Sequence, residues 1–287
     1  MQIRQVASRQ VNVMASAREL IKWAEQELDG KCADPHLDSV MLLSEVTEIN
    51  RTHLLLEENI KNEDEVRFRS DIKRRITREP IQYITGRAYF RKLTLSVGPG
   101  VLIPRPESEL LVSDLLAKIS HLPRPNVVDL GAGSGALALS IAKEVVNARV
   151  VAVEKDSEAM YWLRKNVDAH NQSVEIVESD VADFDGQGKF DAVIANPPYI
   201  PTSEQLPIEV ANFEPPHALF GGASGIELPE IFIGAAERAL RPGGYFVIEH
   251  HESHGEQVKR ILDRSFNNLT LHYDLNNRPR WSSGVRK

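Results

Sequence analysis

Through the first eighty residues, apolar side chains recur every three or four positions. Leu20, Trp23, Ala24 and Leu28 follow Ser16 and Glu19, which fit a reciprocal capping box. Asp34-Pro35 reads as an N-cap with proline at the first helical position, and Leu37, Val40 and Met41 then share one face. Phe68, Ile72 and Ile76 lie four apart, and Pro80 ends that run. These stripes predict a small helical bundle over residues 1–80, with the stripes as its core. From Ile81 the period changes to two: Leu93, Leu95 and Val97 alternate with polar residues before Gly98-Pro99-Gly100. Residues 81–104 therefore read as a β-hairpin linker, and 105–287 as a further domain.

Beyond Pro106, short apolar runs alternate with amphipathic stretches. Strands are predicted at 126–130, 149–153, 174–177, 190–195, 245–249 and 269–273. Helices are predicted at about 107–120, 135–146, 157–170, 226–240 and 255–265. This alternation predicts a parallel, doubly wound α/β sheet. Such sheets bind ligands beyond the carboxyl ends of their strands, so the residues at those ends carry the functional information.

The first of these strands runs into Asp129-Leu130-Gly131-Ala132-Gly133-Ser134-Gly135 and then a helix. Glycines let the backbone turn tightly and approach a ligand, and the helix start offers free N–H groups. The spacing is G-x-G-x-G, one position short of the dinucleotide fingerprint. The second strand ends at Glu154, a carboxylate placed to accept from both hydroxyls of a ribose. The third leads to Asp180 and Val181, suited to an adenine amino group and ring. Together they describe a pocket for an adenosine-containing ligand.

The fourth strand ends in Asn196-Pro197-Pro198-Tyr199. The side-chain oxygen of Asn196 can accept one proton of a planar NH₂ group, and the carbonyl of Pro197 the other. Proline fixes φ and holds that carbonyl with little freedom. Tyr199 can stack on the flat acceptor. Two acceptors under an NH₂ group direct its lone pair at an electrophile opposite, which is positioning and electrostatic preorganisation.

Asp129–Gly135 with Asn196–Tyr199 resembles a class I S-adenosylmethionine-dependent methyltransferase acting on a planar nitrogen. Arg78–Gly86, Leu102-Ile103-Pro104-Arg105-Pro106-Glu107-Ser108-Glu109 and Phe213–Gly222 narrow the resemblance to the release factor glutamine N5-methyltransferase (PrmC/HemK) family. The resemblance implies a seven-stranded Rossmann-like sheet preceded by a helical substrate-docking domain. It implies S-adenosylmethionine as cofactor, held by Gly131, Ala132, Gly133, Ser134, Gly135, Glu154, Asp180, Val181 and Asn196. It also implies a release factor as substrate, whose Gly-Gly-Gln glutamine meets Asn196, Pro197, Pro198 and Tyr199, and a cytoplasmic place of action. Glu154 stands where many relatives have aspartate, and Val181 offers no aromatic face to adenine.

Composition trims the alternatives. The chain has 287 residues, 34 basic and 41 acidic, for a formal charge of −7, and one cysteine, Cys32. A net-negative chain lacks the broad basic face of a sequence-independent DNA coat. One cysteine excludes an internal disulfide framework and a multi-cysteine zinc site. No apolar run approaches the roughly 18–20 residues of a membrane span. Arg4, Arg9 and Arg18 faintly resemble a transit peptide, but read as a terminus leading into a helix. A DNA amino-methyltransferase remains the nearest alternative, because it too uses an Asn-Pro-Pro-Tyr type of turn on a flipped base. A nicotinamide dehydrogenase would leave Asn196–Tyr199 unexplained, and a non-catalytic module would leave the glycine loop unexplained. Glu249-His250-His251-Glu252-Ser253-His254 lacks a metal-binding helical spacing and reads as a polar loop near the pocket, with no metal expected. Lys73, Arg74, Arg75 and Arg78 read as a solvated helix face or as a docking surface, joined in the latter case by Arg278, Arg280 and Arg286.

Overall fold

The computed structural model describes residues 14–287, so Arg4 and Arg9 of the leader-like stretch lie outside it. The chain divides into two compact units, Met1–Thr85 and Gly86–Lys287.

The first unit is helical: α1 (Ala17–Leu28), α2 (Pro35–Thr47), α3 (Arg51–Leu54), α4 (Asn62–Ile76) and α5 (Ile81–Thr85). The capping box forms as expected, with Glu19 N–H on Ser16 Oγ and Ser16 N–H on Glu19. Asp34 caps α2 through Leu37 N–H at 2.9 Å. The buried face of α2 differs from the expected one. Leu37 is exposed, and Leu42, Leu43 and Val46 enter the core. The run Val40-Met41-Leu42-Leu43 is apolar on every side, so its period is ambiguous. The inward turn of Asp38, whose Oδ2 meets Arg75 Nε at 2.7 Å, belongs to the face that wins. Residues 81–85, expected to open the hairpin, form α5 instead. Ile84 is buried in the helical core and Ile81 packs against it. The linker 81–104 is thus divided: its first residues belong to the helices and its hairpin to the second unit.

Part of the basic run is tied into the helical unit. Arg74 forks onto Glu79 with Nε at 2.9 Å and reaches the carbonyls of Tyr83 and Ile84. Arg75 is buried on Asp38 and the Glu79 carbonyl. Arg280 and Arg286 pair with Asp274 and Glu237. These arginines are ion-paired within the fold, while Lys73 is exposed and the Arg74 side chain stays 41% exposed.

The second unit opens with a hairpin of β1 (Arg87–Phe90) and β2 (Leu93–Ser96). There follow α6 (Ser108–Ile119), β3 (Asn126–Leu130), α7 (Ala136–Glu144), β4 (Arg149–Glu154), α8 (Ser157–His170), β5 (Val174–Glu178) and β6 (Phe190–Ala195). Next come β7 (Ile200–Pro201), α9 (Ile208–Ala211), a 3₁₀ turn at Pro216–Ala218, and β8 (Phe220–Gly222). The chain ends with α10 (Glu227–Ala239), β9 (Leu240–Glu249), α11 (Gly255–Leu262), β10 (Phe266–Tyr273) and β11 (Pro279–Arg286). Among the described residues, the main sheet has seven strands in the order β10-β11-β9-β6-β3-β4-β5. Both faces are covered, so its central strands are near-continuous apolar runs. One core joins Val127, Ala152 and Ile194 to α6, α7 and α8, and the other joins Val128, Val153 and Val193 to α10 and α11.

The sheet is seven-stranded as expected, with one antiparallel strand that the parallel pattern did not include. β11 runs antiparallel between β9 and β10 and was absent from the predicted strands. Its Pro279, Ser282, Ser283 and Gly284 carry little strand propensity. Tertiary packing overrides this: Trp281–Gly284 are buried, and Trp281 stacks on His272 at 5.0 Å. β9 also starts five residues early. The Arg241-Pro242-Gly243-Gly244 segment reads as a turn but forms an irregular start to the strand, with register shifting between Phe190↔Leu240 and Ala192↔Tyr245.

Candidate active site

From β3 the chain moves outward one way through β4 to β5, and from β6 the other way to β9. The order reverses between β3 and β6, the switch point where such sheets open a crevice. Strand register then lines up the functional tips. Leu130 pairs with Val153 on one side and Ala195 on the other, so Gly131 and Asn196 leave adjacent strands at the same level. Glu154 pairs with Glu178, two residues before Asp180. Ala195 pairs with Ile248, which sets Glu249 beside Asn196.

These tips border a cavity of about 640 Å³. That lies within the roughly 300–1,000 Å³ of small-molecule sites. Its wall includes Gly131, Ala132, Gly133, Ser134, Glu154, Asp180, Val181, Asn196 and Pro198. Gly131, Gly133 and Gly135 all have positive φ, so the loop bends as L residues rarely do. Asn166 of α8 holds it in place, donating from Nδ2 to the Ser134 carbonyl at 2.9 Å and to the Ser96 carbonyl at 3.0 Å. Asp129 beneath the loop is fully buried and accepts from Ala138 N–H at 3.0 Å. Burial pushes its carboxyl up to about 7.

Glu154 does more than the sequence suggested. Its Oε1 accepts from Lys155 and Asp156 N–H at 2.8 and 2.9 Å, and Oε2 from Gly133 N–H at 2.8 Å. It therefore clamps the glycine loop to β4, and the acceptor capacity left for ribose lies mainly on Oε2. Asp180 is also engaged, with Lys155 Nζ at 2.8 Å and Ala182 N–H at 2.9 Å. The Lys155 ammonium is the main reason its carboxyl is held below the ordinary range. Val181 is buried in the wall as an apolar surface.

At the other end, Asn196 donates from Nδ2 to Ser108 Oγ at 3.1 Å, leaving Oδ1 available to a ligand. Pro197 and Tyr199 do not line the cavity. The Tyr199 hydroxyl instead turns back and donates to Glu249 Oε1 at 2.9 Å. Burial, then the Glu249 charge, raises its pKa well above the usual tyrosine value, so it stays a protonated donor. The turn is backed by β8: a Cβ on Gly221 would lie 2.5 Å from the Pro198 carbonyl and 2.9 Å from Tyr199 Cα, an approach open only to glycine. Glu214, with its side chain 1% exposed, ties two further motifs together. It accepts from Ile103 N–H at 3.1 Å and Arg105 Nη2 at 2.6 Å.

Sequence reasoning assigned no role to Ser108, Glu214, Glu249 or Phe232, which adds an aromatic wall from α10. Glu249 was findable, because it ends a strand as Glu154 does. The neighbouring His250 has both ring nitrogens taken, by Ser282 Oγ and the His251 carbonyl, and burial lowers its pKa to about 4.

Residues 106–213 match the model of the methyltransferase small domain, and residues 19–86 match that of the PrmC N-terminal domain. The Release factor glutamine methyltransferase of Streptomyces coelicolor is 37% identical over 272 residues, covering 92% of this chain and 96% of that protein. The chain belongs to the release factor glutamine methyltransferase family. The enzyme of the same name from Mycolicibacterium smegmatis is 38% identical over 261 residues, covering 88% of this chain and 92% of that protein. Among solved structures, the Thermus thermophilus 16S rRNA N2 G1207 methyltransferase, in complex with AdoMet and guanosine, aligns with a TM-score of 0.51 at 25% identity. That alignment covers 70% of this chain and 50% of the other. A methyltransferase from Pyrococcus furiosus shares the fold, with a TM-score of 0.50 at 20% identity, over 68% of this chain and 89% of that one. This family membership and the switch-point cavity agree on one fold, that of class I methyltransferases.

Proposed function

We propose that the chain transfers a methyl group from S-adenosylmethionine to the side-chain amide nitrogen of the glutamine in the Gly-Gly-Gln loop of peptide chain release factors. The observation that carries this reading is the register that puts the glycine loop and Asn196 on adjacent strand tips at one cavity. The residues present fit the cofactor. The positive-φ loop, the acceptor capacity of Glu154 Oε2 and the apolar Val181 suit the loop, ribose and base contacts of an adenosine group. When bound, the cofactor supplies an electrophilic methyl carbon on a cationic sulfur.

The chain's own task is to present a weak nucleophile. An amide nitrogen shares its lone pair with its carbonyl, so holding its two protons on fixed acceptors is the available lever. Asn196 Oδ1, on the cavity wall, takes one proton, and the Pro197 carbonyl, held by a proline φ outside that wall, is the acceptor proposed for the other. Neither is a strong base, so their role is orientation: the sulfur keeps the electrons of the broken S–C bond, and the nitrogen loses one proton to solvent as the methyl arrives or after it. Tyr199 braces the turn through its hydroxyl on Glu249, a bond made at the ring edge and compatible with the stacking read from the sequence. The helical unit serves as the docking element for the protein substrate, and the reaction belongs to the cytoplasm, where release factors act.

The test is Asn196→Ala. Cofactor affinity by calorimetry should stay within several-fold. Methylation of intact release factor, located by mass spectrometry at the Gly-Gly-Gln glutamine, should nearly vanish. A fully active variant, or a methyl placed elsewhere, rejects the proposal.

A further inference from the structure

Glu249 lies behind the reacting face. It is 1% exposed and outside the cavity wall, yet three site residues converge on it through two hydroxyls. Ser108 Oγ donates to Oε2 at 2.6 Å, and Tyr199 OH donates to Oε1 at 2.9 Å. Ser108 Oγ in turn receives Asn196 Nδ2 at 3.1 Å. The chain Asn196–Ser108–Glu249–Tyr199 joins both ends of the Asn-Pro-Pro-Tyr turn to one carboxylate. Strand pairing fixes its position, since Ala195↔Ile248 and Glu249↔Trp281 are in register.

The proton count gives this relay a direction. An ionised carboxylate only accepts, whereas a serine hydroxyl has one proton to give. Ser108 spends that proton on Glu249, so toward Asn196 it can only accept. The amide must therefore present NH₂ to Ser108, because the flipped amide would face oxygen with oxygen. Without the carboxylate, the Ser108 hydroxyl could turn and donate to Asn196, and both amide orientations would be satisfied. Only one of them leaves Oδ1 for a substrate proton.

Burial raises the Glu249 carboxyl above its ordinary range, while the Ser108 and Tyr199 hydroxyls and the Arg280 charge oppose that shift. The Ser108 and Tyr199 bonds and the Arg280 charge offset part of that burial cost, and the proton count above holds for the ionised carboxylate.

We propose that Glu249 is a positioning residue for methyl transfer: through Ser108 it locks the Asn196 amide with Oδ1 toward the acceptor, and through Tyr199 it anchors the far end of the turn. This rests on the role of Asn196 proposed above. Acting on orientation alone, it should affect turnover and spare binding.

The test uses the full-length enzyme and intact release factor. Glu249→Gln and Ser108→Ala should each lower kcat about 10- to 100-fold, the range expected when a reacting group loses its orientation. KM for release factor and Kd for S-adenosylmethionine should stay within about threefold. Ser108→Thr keeps the hydroxyl and should retain most of the turnover. Wild-type kcat in both Glu249→Gln and Ser108→Ala overturns the proposal, as does equal loss in Ser108→Thr and Ser108→Ala. Loss expressed only in cofactor Kd also overturns it. Should Glu249→Gln fail to fold, the Ser108 pair decides alone. Activity in Asn196→Ala would instead sink the reading of the site. An inactive Asn196→Ala beside fully active relay variants sinks the relay only.

Discussion

Gly135 closes the turn from β3 into α7, and replacing it with alanine separates two costs that usually come mixed. The residue sits at φ +85°, where an L side chain pays roughly 1–2 kcal/mol. A Cβ there would also lie 2.7 Å from Leu163 Cδ1 and 3.2 Å from Leu139 Cδ1. Both leucines are fully buried, so neither can swing away, and overpacking of this kind costs about 1–3 kcal/mol. The sum is about 3 kcal/mol. For a unit of this size each kcal/mol moves Tm by roughly 2–4 °C, giving a fall of roughly 6–12 °C. Gly188 supplies the control. It has φ +62°, but a Cβ there would meet only the Leu240 carbonyl at an ordinary 3.7 Å, so Gly188→Ala should pay the backbone cost alone. Thermal and urea unfolding followed by near-ultraviolet circular dichroism measure both. Because the added Cβ strains the turn that Gly135 N–H closes onto the Ala132 carbonyl at 2.8 Å, cofactor affinity should weaken at least about tenfold in Gly135→Ala and not in Gly188→Ala. Equal destabilisation of the two variants would refute the packing argument, and unchanged affinity would refute the claim that this turn shapes the pocket.

Two further predictions concern buried charge. Burial, reinforced by the Glu154 charge and opposed by Ala138 N–H, raises Asp129 to about 7 from 3.8. The folded state then holds a proton that the unfolded chain has lost, so stability declines as pH rises from about 4 to 7 and is flat above. Asp129→Asn can still accept from Ala138; it should unfold at higher temperature than wild type at pH 8 and converge with it near pH 4, and a parallel pH profile would contradict this. In the helical unit, Arg75→Met strands Asp38 and should cost about 3–5 kcal/mol in urea unfolding, while adding Asp38→Leu should recover much of it. Equal losses in the single and double variants would show that the pair is not the source.

The central strands were legible because a sheet covered on both faces favours near-continuous apolar runs, and Asn126–Leu130 and Phe190–Ala195, broken only by Asn126, Asp129 and Asp191, are such runs with loop signals at their ends. What the sequence could not show was structure supplied by partners. β11 carries a proline, two serines and a glycine, and becomes a strand because β9 and β10 flank it. The face of α2 could not be chosen from four adjacent apolar residues, because the deciding contact is Asp38 with Arg75, thirty-seven positions away. Arg74 and Arg75 looked like a surface for the same reason: a charge run shows its sign but not which carboxylates will fold against it.

The site divides along the same physical line. Residues that end a strand can be located from one segment, so the loop after β3, Glu154 after β4 and Asn196 after β6 could be named before any coordinates. Their orientation cannot, because it depends on protons shared across 88 positions between Asn196 and Ser108 and 141 between Ser108 and Glu249. Tyr199 shows the consequence. Read alone, an aromatic after Pro-Pro is a stacking surface. With a buried carboxylate 2.9 Å from its hydroxyl, it is also a brace. The residues that touch a substrate are therefore announced by strand ends, while those that aim them come from whichever neighbouring tip the register supplies. Here that tip is β9, and its terminal Glu249 accepts from both Ser108 and Tyr199 behind the turn.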